Sequence, residues 1–255
     1  MDMHVVSLTY KLVTDNSTSF INCDSIKLET EIFNLELNDG ILTCYLNIHY
    51  DTEELARQVI DKYLKSWEID YALRYGRGEI YFQFVKSNVI YREPDSPGTA
   101  IVYVKAFGAG VAIMTAQAHI IRCKYPSFPE EFIFNPDVEA LWNRYEMYLD
   151  GKERLPTTGY FCLTYFDKFL CKSRAKALEK FKISHKIFTE LSKVTSNKGD
   201  AISARECISN MFEPLTEKDN LFIEACIRMF IHRLGEYAAG AKLSEITMAD
   251  LPSID

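Results

Sequence analysis

The fold depends on the stretch KYPSFPEE, residues Lys124 to Glu131, because the hydrophobic period of the chain changes there. Its two prolines lack a backbone N–H donor, so the stretch continues neither a helix nor an inner strand. Before it, apolar residues recur mostly with a period of two, and after it with a period of 3.6. We therefore predict two domains, residues 1–125 and 135–240, and a C-terminal tail, residues 241–255.

The N-terminal part has the pattern of a β-sheet. Two β-rich runs, residues 32–37 and 41–49, are joined by Asn38-Asp39-Gly40, which is typical of a tight hairpin because Gly accepts positive φ. Polar residues 15–19 predict a turn, and further strands are predicted at residues 80–90, 100–107 and 111–122. In the first strand, the alternating pattern predicts a buried face made of Val6, Leu8, Tyr10 and Leu12.

One helix interrupts these strands. Asp51 and Thr52 are candidate capping residues, apolar residues recur at helical spacing from Leu55 to Trp67, and Gly76 follows as a stop. Consecutive strands with short turns favour antiparallel pairing, and a lone amphipathic helix packs on one face of such a sheet. The fold class predicted is therefore α+β: a mostly antiparallel N-terminal sheet with one packed helix, followed by an all-helical bundle.

The C-terminal part carries several helix boundaries. Asn135 and Pro136 start a helix in the manner of a cap and an N1 proline. A long helix is predicted from Thr158 to Lys182, and shorter helices are predicted to start at Ser184 and Asp200. The last long helix is predicted to begin at Thr216 and to end at Gly240.

Composition excludes several classes of protein. The chain has 255 residues, 47% of them hydrophobic, and its most apolar stretch, residues 99–121, contains Lys105, Gln117 and His119. These polar residues argue against a membrane span, and the N-terminus lacks the charged and apolar regions of a signal peptide. Seven cysteines without a C-x-x-C pair predict reduced thiols in the cytoplasm.

No cofactor or metal motif is recognised. The pair Gly108 and Gly110 forms a bare G-x-G that precedes a strand-like run, whereas a dinucleotide site needs G-x-G-x-x-G at the start of a helix. The five histidines lack the spacing of metal ligands. We therefore predict neither a cofactor nor a metal site.

Charge is distributed unevenly along the chain. Residues 152–198 hold eleven Lys and Arg against four Asp and Glu, although the whole chain has a formal net charge of −7. This basic band predicts an anionic partner, either nucleic acid or an acidic protein surface. The alternative is a solvated face, or an intramolecular contact with the acidic N-terminal half. The predicted binding residues are Lys168, Lys172, Lys176 and Lys180, which follow one another at i+4 on the predicted 158–182 helix, with Arg174 beside them.

Aromatic residues accompany the basic band. Tyr160, Phe161, Tyr165 and Phe166 lie next to the lysines in sequence and offer rings on which bases stack. The alternative is that they belong to the core, since aromatics at helical spacing usually do.

Three segments resemble a widespread family of uncharacterised bacterial proteins: residues 144–164 (RYEMY and GYFCLT), residues 233–238 (RLGEYA) and residues 246–252 (ITMADLP). The resemblance implies a soluble bacterial protein and transfers no site residues, because these motifs consist of packing and turn residues.

The order of a β-rich part before a helical bundle is also similar to bacterial defence proteins whose bundle is a HEPN ribonuclease. That resemblance implies RNA cleavage by an Arg and a His, for which Arg228 and His232 are the candidates. Only three residues separate them, fewer than the HEPN motif has. The alternative is a surface ladder of ion pairs with Glu224 and Glu236, and we predict no catalytic role for the pair.

The function predicted from these observations is a non-catalytic cytoplasmic binding or sensor protein that acts with a partner, in a setting such as bacterial defence. One alternative is a HEPN-like ribonuclease that uses Arg228 and His232. Another is a small-ligand-binding protein with its pocket between the sheet and the helix of residues 51–67. A homo-oligomer is compatible with each of them.

Overall fold

A computed structural model describes residues 2–15, 18–77, 80–92, 120–198 and 214–254, which form an α+β protein. The chain divides into two units, residues 1–129 and 130–255. The described part of the first unit contains a mostly antiparallel sheet with one long helix, and that of the second is helical, which confirms the predicted fold class. The predicted strand 100–107, most of the predicted strand 111–122 and the predicted helix start at Asp200 lie outside the described residues.

The five-stranded sheet of the first unit has the order β3-β4-β5-β1-β6, with every pair antiparallel. Its strands are β1 (Asp2–Val13), β3 (Ile26–Glu29), β4 (Phe33–Asn38), β5 (Ile41–Leu46) and β6 (Tyr81–Arg92). The turn between β4 and β5 is the predicted hairpin. Asp39 and Gly40 both have positive φ, 47° and 71°, as a type I′ turn requires.

The predicted buried face of β1 is correct except at its start. Leu8, Tyr10 and Leu12 are buried, but Val5 is buried in place of Val6. The register between β1 and β6 shifts between Val5 and Ser7. An extra residue at such a bulge reverses the alternation of side chains, so the face predicted by simple period-two counting is wrong on its N-terminal side.

A second, two-stranded sheet was not predicted. β2 (Thr18–Phe20) pairs in parallel with β7 (Ile120–Arg122), and β2 begins inside the segment that the sequence predicted as a turn. About a hundred residues separate the two strands, so no local pattern reports their pairing.

Helix α1 (Glu53–Tyr75) packs on the sheet through its apolar face. Thr52 is its N-cap, with the side-chain oxygen accepting from the amide of Leu55, and Gly76 is its C-cap, as predicted. The buried side chains of the face include Ile60, Leu64 and Trp67, which belong to one hydrophobic cluster with the inner face of the sheet. The space between helix and sheet is therefore occupied by side chains.

The second unit consists of helices α2 (Pro136–Leu149), α3 (Leu155–Thr164), α4 (Arg174–Phe181), α5 (His185–Asn197) and α6 (Glu217–Ala238). Asn135 caps α2 through the amide of Val138, and Thr216 caps α6 in a capping box with Asp219. Both starts were predicted. Helix α3 passes close to α5 and α6 at Gly159, where an added Cβ would lie 2.8 Å from Cγ2 of Ile223.

The predicted helix from Thr158 to Lys182 is wrong, because three elements occupy this range. Helix α3 leads into a π-helix, Tyr165–Leu170, and Lys172 then adopts a left-handed conformation with φ of 55° before α4 starts. The break has a packing cause. Phe166 and Phe181 would lie about 22 Å apart along a straight helix, whereas their ring centroids here are 4.8 Å apart in the core.

Phe166 lies at the centre of the second core. Its ring is fully buried and contacts Phe230 of α6, with 4.6 Å between centroids, and Phe188 of α5, with 6.4 Å. Four elements therefore meet at one aromatic cluster.

The C-terminal residues predicted as a tail form hydrogen bonds with the second unit. Ile246 donates its amide to the carbonyl of Lys182 at 2.9 Å and accepts from the amide of Ser184 at 2.9 Å. A short 3-10 helix, Met248–Asp250, follows, with a capping box between Thr247 and Asp250. This box gives a structural role to the ITMADLP segment.

No helix in the described ranges is long and apolar enough to cross a membrane.

Candidate functional site

The most exposed large hydrophobic side chain among the described residues is Phe169, at 70% of its full exposure. It lies in the π-helix and stacks on Tyr165, with 5.7 Å between centroids and 22° between planes. Tyr165 in turn contacts Phe161 at 5.8 Å. The three rings form a short series that ends at the solvent, and π-helical turns are frequent at functional sites.

Tyr165 is held firmly beneath Phe169. Its hydroxyl donates to Oδ1 of Asp137 on α2 at 2.8 Å. Burial, together with this hydrogen bond and the negative charge of Asp137, raises the pKa of Tyr165 to about 12. The ring therefore stays neutral at physiological pH and offers Phe169 a fixed apolar support.

Three lysines lie close to Phe169 in the sequence. Lys168 precedes Phe169, Lys172 follows it by three residues, and Lys176 lies in the first turn of α4. All three are exposed, and none forms an ion pair with any residue in the described ranges. Residues 165–186 hold seven basic side chains against two acidic ones, so the local charge is strongly positive. We call the exposed side chains of Lys168, Phe169, Lys172 and Lys176 the Phe169 surface.

The other two predicted binding residues contact the protein itself. The guanidinium of Arg174 donates to Oδ2 of Asp167 from Nη2 at 2.7 Å and from Nε at 3.0 Å, which joins α4 to the π-helix. Lys180 is exposed, but its Nζ lies 4.5 Å from the ring centroid of Tyr237. Arg174 therefore fixes the shape of the surface, and Lys180 is partly engaged by a cation–π contact.

The four lysines do not form the predicted straight ridge. Lys168 lies on the π-helix, Lys172 in the left-handed connection, and Lys176 and Lys180 on α4. Like charges at i+4 along one α-helix repel one another, and the break leaves only the pair Lys176 and Lys180 of the predicted ridge in that arrangement.

The four aromatic residues considered from the sequence differ in their burial. Phe166 is in the core, Tyr160, Phe161 and Tyr165 are half-buried, and Phe161 and Tyr165 belong to the series of rings that ends at Phe169. Phe169 was missed because it follows Phe166 by three residues, which in an α-helix would place both near one apolar face. The wider π turn directs Phe169 to solvent. The charged residues Asp167 and Lys168, which precede Phe169, were the sequence signal for its exposure.

Arg228 and His232 lie one turn apart on α6, both half-buried. Nδ1 of His232 is 3.5 Å from Oε1 of Glu236, which is one pair of the predicted ladder. Glu224, however, accepts a hydrogen bond of 2.7 Å from the hydroxyl of Tyr145 on α2. The acidic residues around the pair thus have structural partners: Glu224 links α6 to α2, and Glu236 also contacts the buried Arg233 at 3.4 Å.

Within the ranges described, no group of three or more His, Cys, Asp or Glu side chains is arranged to hold a metal ion. A small-ligand pocket was predicted between the sheet and residues 51–67. The side chains of Ile60, Leu64 and Trp67 occupy that space, and the described cavity lies elsewhere. The cavity lies beside the last turns of α1.

No protein-family model, curated protein or solved structure matches the chain. The two resemblances seen in the sequence therefore stay predictions.

Proposed function

We propose that this chain is a non-catalytic protein that binds single-stranded nucleic acid at the Phe169 surface. The observation that supports it is the exposure of Phe169, at 70%, among three lysines that have no acidic partner in the described part of the chain. Single strands are bound by this combination: bases stack on aromatic rings, and cationic side chains neutralise the phosphates.

The composition of the surface favours nucleic acid over an acidic protein. Lysine is depleted in the buried parts of protein–protein interfaces, where its ammonium group would lose water. On a phosphate backbone, the same lysines remain hydrated and gain free energy from the release of counterions. Phe169 offers a ring that stacks with any base, so the proposal expects little preference for sequence.

The setting that we propose is the cytoplasm. The six described cysteines are free thiols, and three of them, Cys44, Cys162 and Cys226, are buried. Free thiols are typical of a reducing compartment. A role in bacterial defence remains a hypothesis that depends on the architectural resemblance alone.

The proposal is tested by fluorescence anisotropy with labelled 12-residue oligonucleotides, one of RNA and one of DNA, and with a duplex of the same length. Phe169→Ala should weaken single-strand binding about five- to hundredfold, the range measured for loss of one stacked base, and should leave the salt dependence unchanged. Loss of the stack removes an apolar contact and no charge.

The triple variant Lys168→Gln, Lys172→Gln, Lys176→Gln should behave differently. It should lower the slope of log affinity against log salt by about 2, since each phosphate contact contributes roughly 0.7 for single strands. The matched control removes three exposed lysines of the first unit, Lys11, Lys62 and Lys86.

The proposal fails if Phe169→Ala binds like the parent chain, or if the control triple variant loses as much affinity as the test variant. Binding of polyglutamate in preference to the oligonucleotides would favour an acidic protein partner instead. Cleavage of the RNA that His232→Ala abolishes would support the ribonuclease alternative.

A further inference from the structure

We propose that Cys23 and Cys123 are a redox pair, which a hydroperoxide converts to a reversible disulfide. The two cysteines are 100 positions apart in the sequence. Strands β2 and β7 are parallel, with Phe20 opposite Arg122, so the residues that follow them leave the small sheet at the same end. Cys123 follows β7 directly, and Cys23 comes three residues after β2. The inference does not depend on the proposed nucleic-acid binding.

The chain after β2 turns back towards the end of β7. Asn22 adopts a left-handed conformation, with φ of 52°, which asparagine tolerates better than most residues. On either side of this turn, two donors converge on the carbonyl oxygen of Arg122: the amide of Ile21 at 3.0 Å and Sγ of Cys23 at 3.5 Å. That carbonyl belongs to the peptide bond that leads into Cys123.

The hydrogen bond from Cys23 places its sulfur beside Cys123. A carbonyl oxygen lies about 2.8 Å from the next Cα of the chain, so Sγ of Cys23 is no more than about 6 Å from Cα of Cys123. Disulfides join cysteines whose Cα atoms are about 4–7 Å apart. Both cysteines lie in irregular segments after the strands, so local adjustment of these segments and rotation of the two side chains would complete the approach.

The electrostatics of Cys23 agree with this proximity. Burial raises the pKa of its thiol above the ordinary value of 9.0, and the negative charges of Cys123 and Asp24 raise it further. A charge on one sulfur disfavours ionisation of the other when the two are close. The thiols of Cys23 and Cys123 therefore influence each other across the end of the small sheet.

Exposure assigns a different role to each cysteine. The side chain of Cys123 is exposed, whereas that of Cys23 is half-buried. A hydroperoxide in solution reaches the exposed thiol first, and the raised pKa of Cys23 leaves less of it as the reactive thiolate. Cys123 is therefore the thiol that is oxidised first, and Cys23 is the thiol that resolves the product.

With hydrogen peroxide as the oxidant, the chemistry has two steps. The thiolate of Cys123 attacks one oxygen, the O–O bond breaks, and the released hydroxide takes up the thiol proton and leaves as water. The sulfur of Cys123 is now a sulfenic acid. Sγ of Cys23 attacks this sulfur, the S–O bond breaks, and a second water leaves as the S–S bond forms. Two thiols and one peroxide give one disulfide and two waters, and a dithiol reverses the reaction.

Cys162 and Cys226 provide a matched pair without access to solvent. Both are fully buried in the second unit. Burial raises the pKa of each thiol, and Cys162 raises that of Cys226 further. Proximity alone would oxidise both pairs, whereas proximity together with exposure selects Cys23 and Cys123.

The test treats the full-length chain at low micromolar concentration with hydrogen peroxide. Free thiols are then blocked in denaturant, and peptides are mapped by mass spectrometry without reduction. We expect the main cross-linked peptide to join Cys23 to Cys123, in a chain that remains monomeric on a non-reducing gel. Cys162 and Cys226 should be recovered as thiols, and dithiothreitol should remove the cross-link.

Single variants separate the two roles. Cys23→Ser removes the resolving thiol, so labelling of Cys123 by dimedone, which traps sulfenic acids, should rise about fivefold or more. Cys123→Ser removes the accessible thiol, so oxidation of Cys23 should fall about fivefold or more. Cys171→Ser, at a half-buried position of the second unit, is the control and should change neither value. Neither Cys23 nor Cys123 belongs to the buried cluster of the first unit, and circular dichroism checks that each variant is folded.

The inference is overturned if peroxide oxidises Cys123 to sulfinic acid without a cross-link to Cys23, or if Cys123 joins another cysteine or a second chain. It is also overturned if Cys23→Ser leaves the dimedone labelling of Cys123 unchanged, because Cys23 would then resolve nothing. The cross-link should form equally in Phe169→Ala, so this inference and the proposed nucleic-acid binding fail separately.

Discussion

At the scale of single residues, two side chains show opposite relations to solvent. Phe169 is apolar and exposed, at 70%. Arg233 is charged and buried, at 3%, and burial lowers its pKa although Glu236 opposes that change. Since a guanidinium stays protonated even so, its charge needs the nearby carboxylate of Glu236. Arg233 is therefore a structural residue.

At Gly235 on α6, a neighbouring side chain packs directly against the helix backbone. A Cβ at this position would collide with the buried ring of Phe132. Ile133, the residue after Phe132, donates its amide to the carbonyl of Gly235 at 3.1 Å. The backbone of Gly235 is helical, a conformation that any residue adopts. Glycine is therefore required by the lack of space beside Phe132 and not by its backbone angles.

We expect Gly235→Ala to lower the free energy of unfolding by about 2–3 kcal/mol, because a stiff aromatic ring has to move out of a filled core. Urea unfolding followed by circular dichroism measures the change. A double-mutant cycle supplies the control: Phe132→Leu makes room, so the double variant should be more stable than the sum of the two single changes. Strict additivity of the two effects would contradict the proposed collision.

At the scale of elements, the start of α6 combines three stabilising contacts at Asp219. Its Oδ2 accepts from the amide and the hydroxyl of Thr216, both at 2.8 Å, and lies 3.1 Å from Nζ of Lys198 at the end of α5. Burial by itself would raise the pKa of Asp219, but these donors outweigh it, and the pKa lies below its ordinary value of 3.8. One carboxylate thus caps α6 and ties it to α5.

The lowered pKa sets the pH dependence. Because the ionised form is stabilised in the folded chain, its contribution is complete above the ordinary pKa and is lost as pH falls below about 4. Asp219→Asn should therefore destabilise the chain by about 1–3 kcal/mol at pH 7, because one of the two acceptor oxygens becomes an NH2 donor and the ion pair with Lys198 is lost. The difference from the parent should shrink towards pH 2.5. Thermal melts at both pH values measure it.

Asp250 provides the matched control for this prediction. It forms the same capping box with Thr247, but on an exposed 3-10 helix. Asp250→Asn should lower the melting temperature less than Asp219→Asn does. Equal effects at the two positions would show that the contact with Lys198 and the burial of Asp219 contribute little.

At the scale of the whole molecule, each unit has a core of its own. Leu8, Leu42 and Trp67 belong to the cluster between sheet and α1, while Phe166 and Phe230 belong to the aromatic cluster of the helices. The formal charges are not divided in this way: the first unit has a net charge of −4 and the second, which contains the basic band, has a net charge of −3.

We expect the fragment 130–255 to fold without the rest of the chain, because a unit with its own core holds most of its apolar contacts internally. Circular dichroism should show a helical spectrum and one cooperative thermal transition. The fragment should also bind the single-stranded oligonucleotide like the full chain. A fragment without cooperative melting would show that its core depends on residues 1–129.

Much of the fold was predicted from sequence patterns that involve residues close together in the chain. The caps at Thr52, Asn135 and Thr216 and the Asp39-Gly40 turn were recognised because a cap or a two-residue turn involves atoms only a few residues apart. The α+β class followed from the change of hydrophobic period, which is also a local property. The position of the basic band could likewise be read from residue types alone.

Features that depend on distant contacts could not be read this way. The π-helix and the turn at Lys172 exist because Phe166 and Phe181 meet in the core, and β2 pairs with β7 across about a hundred residues. The exposure of Phe169 follows from that same break, and the cavity forms where α1 lies beside residues 122–127. Residue types therefore specified which charges and rings were available. Long-range packing selected which of them reach solvent, since the core alone determines where a helix has to bend.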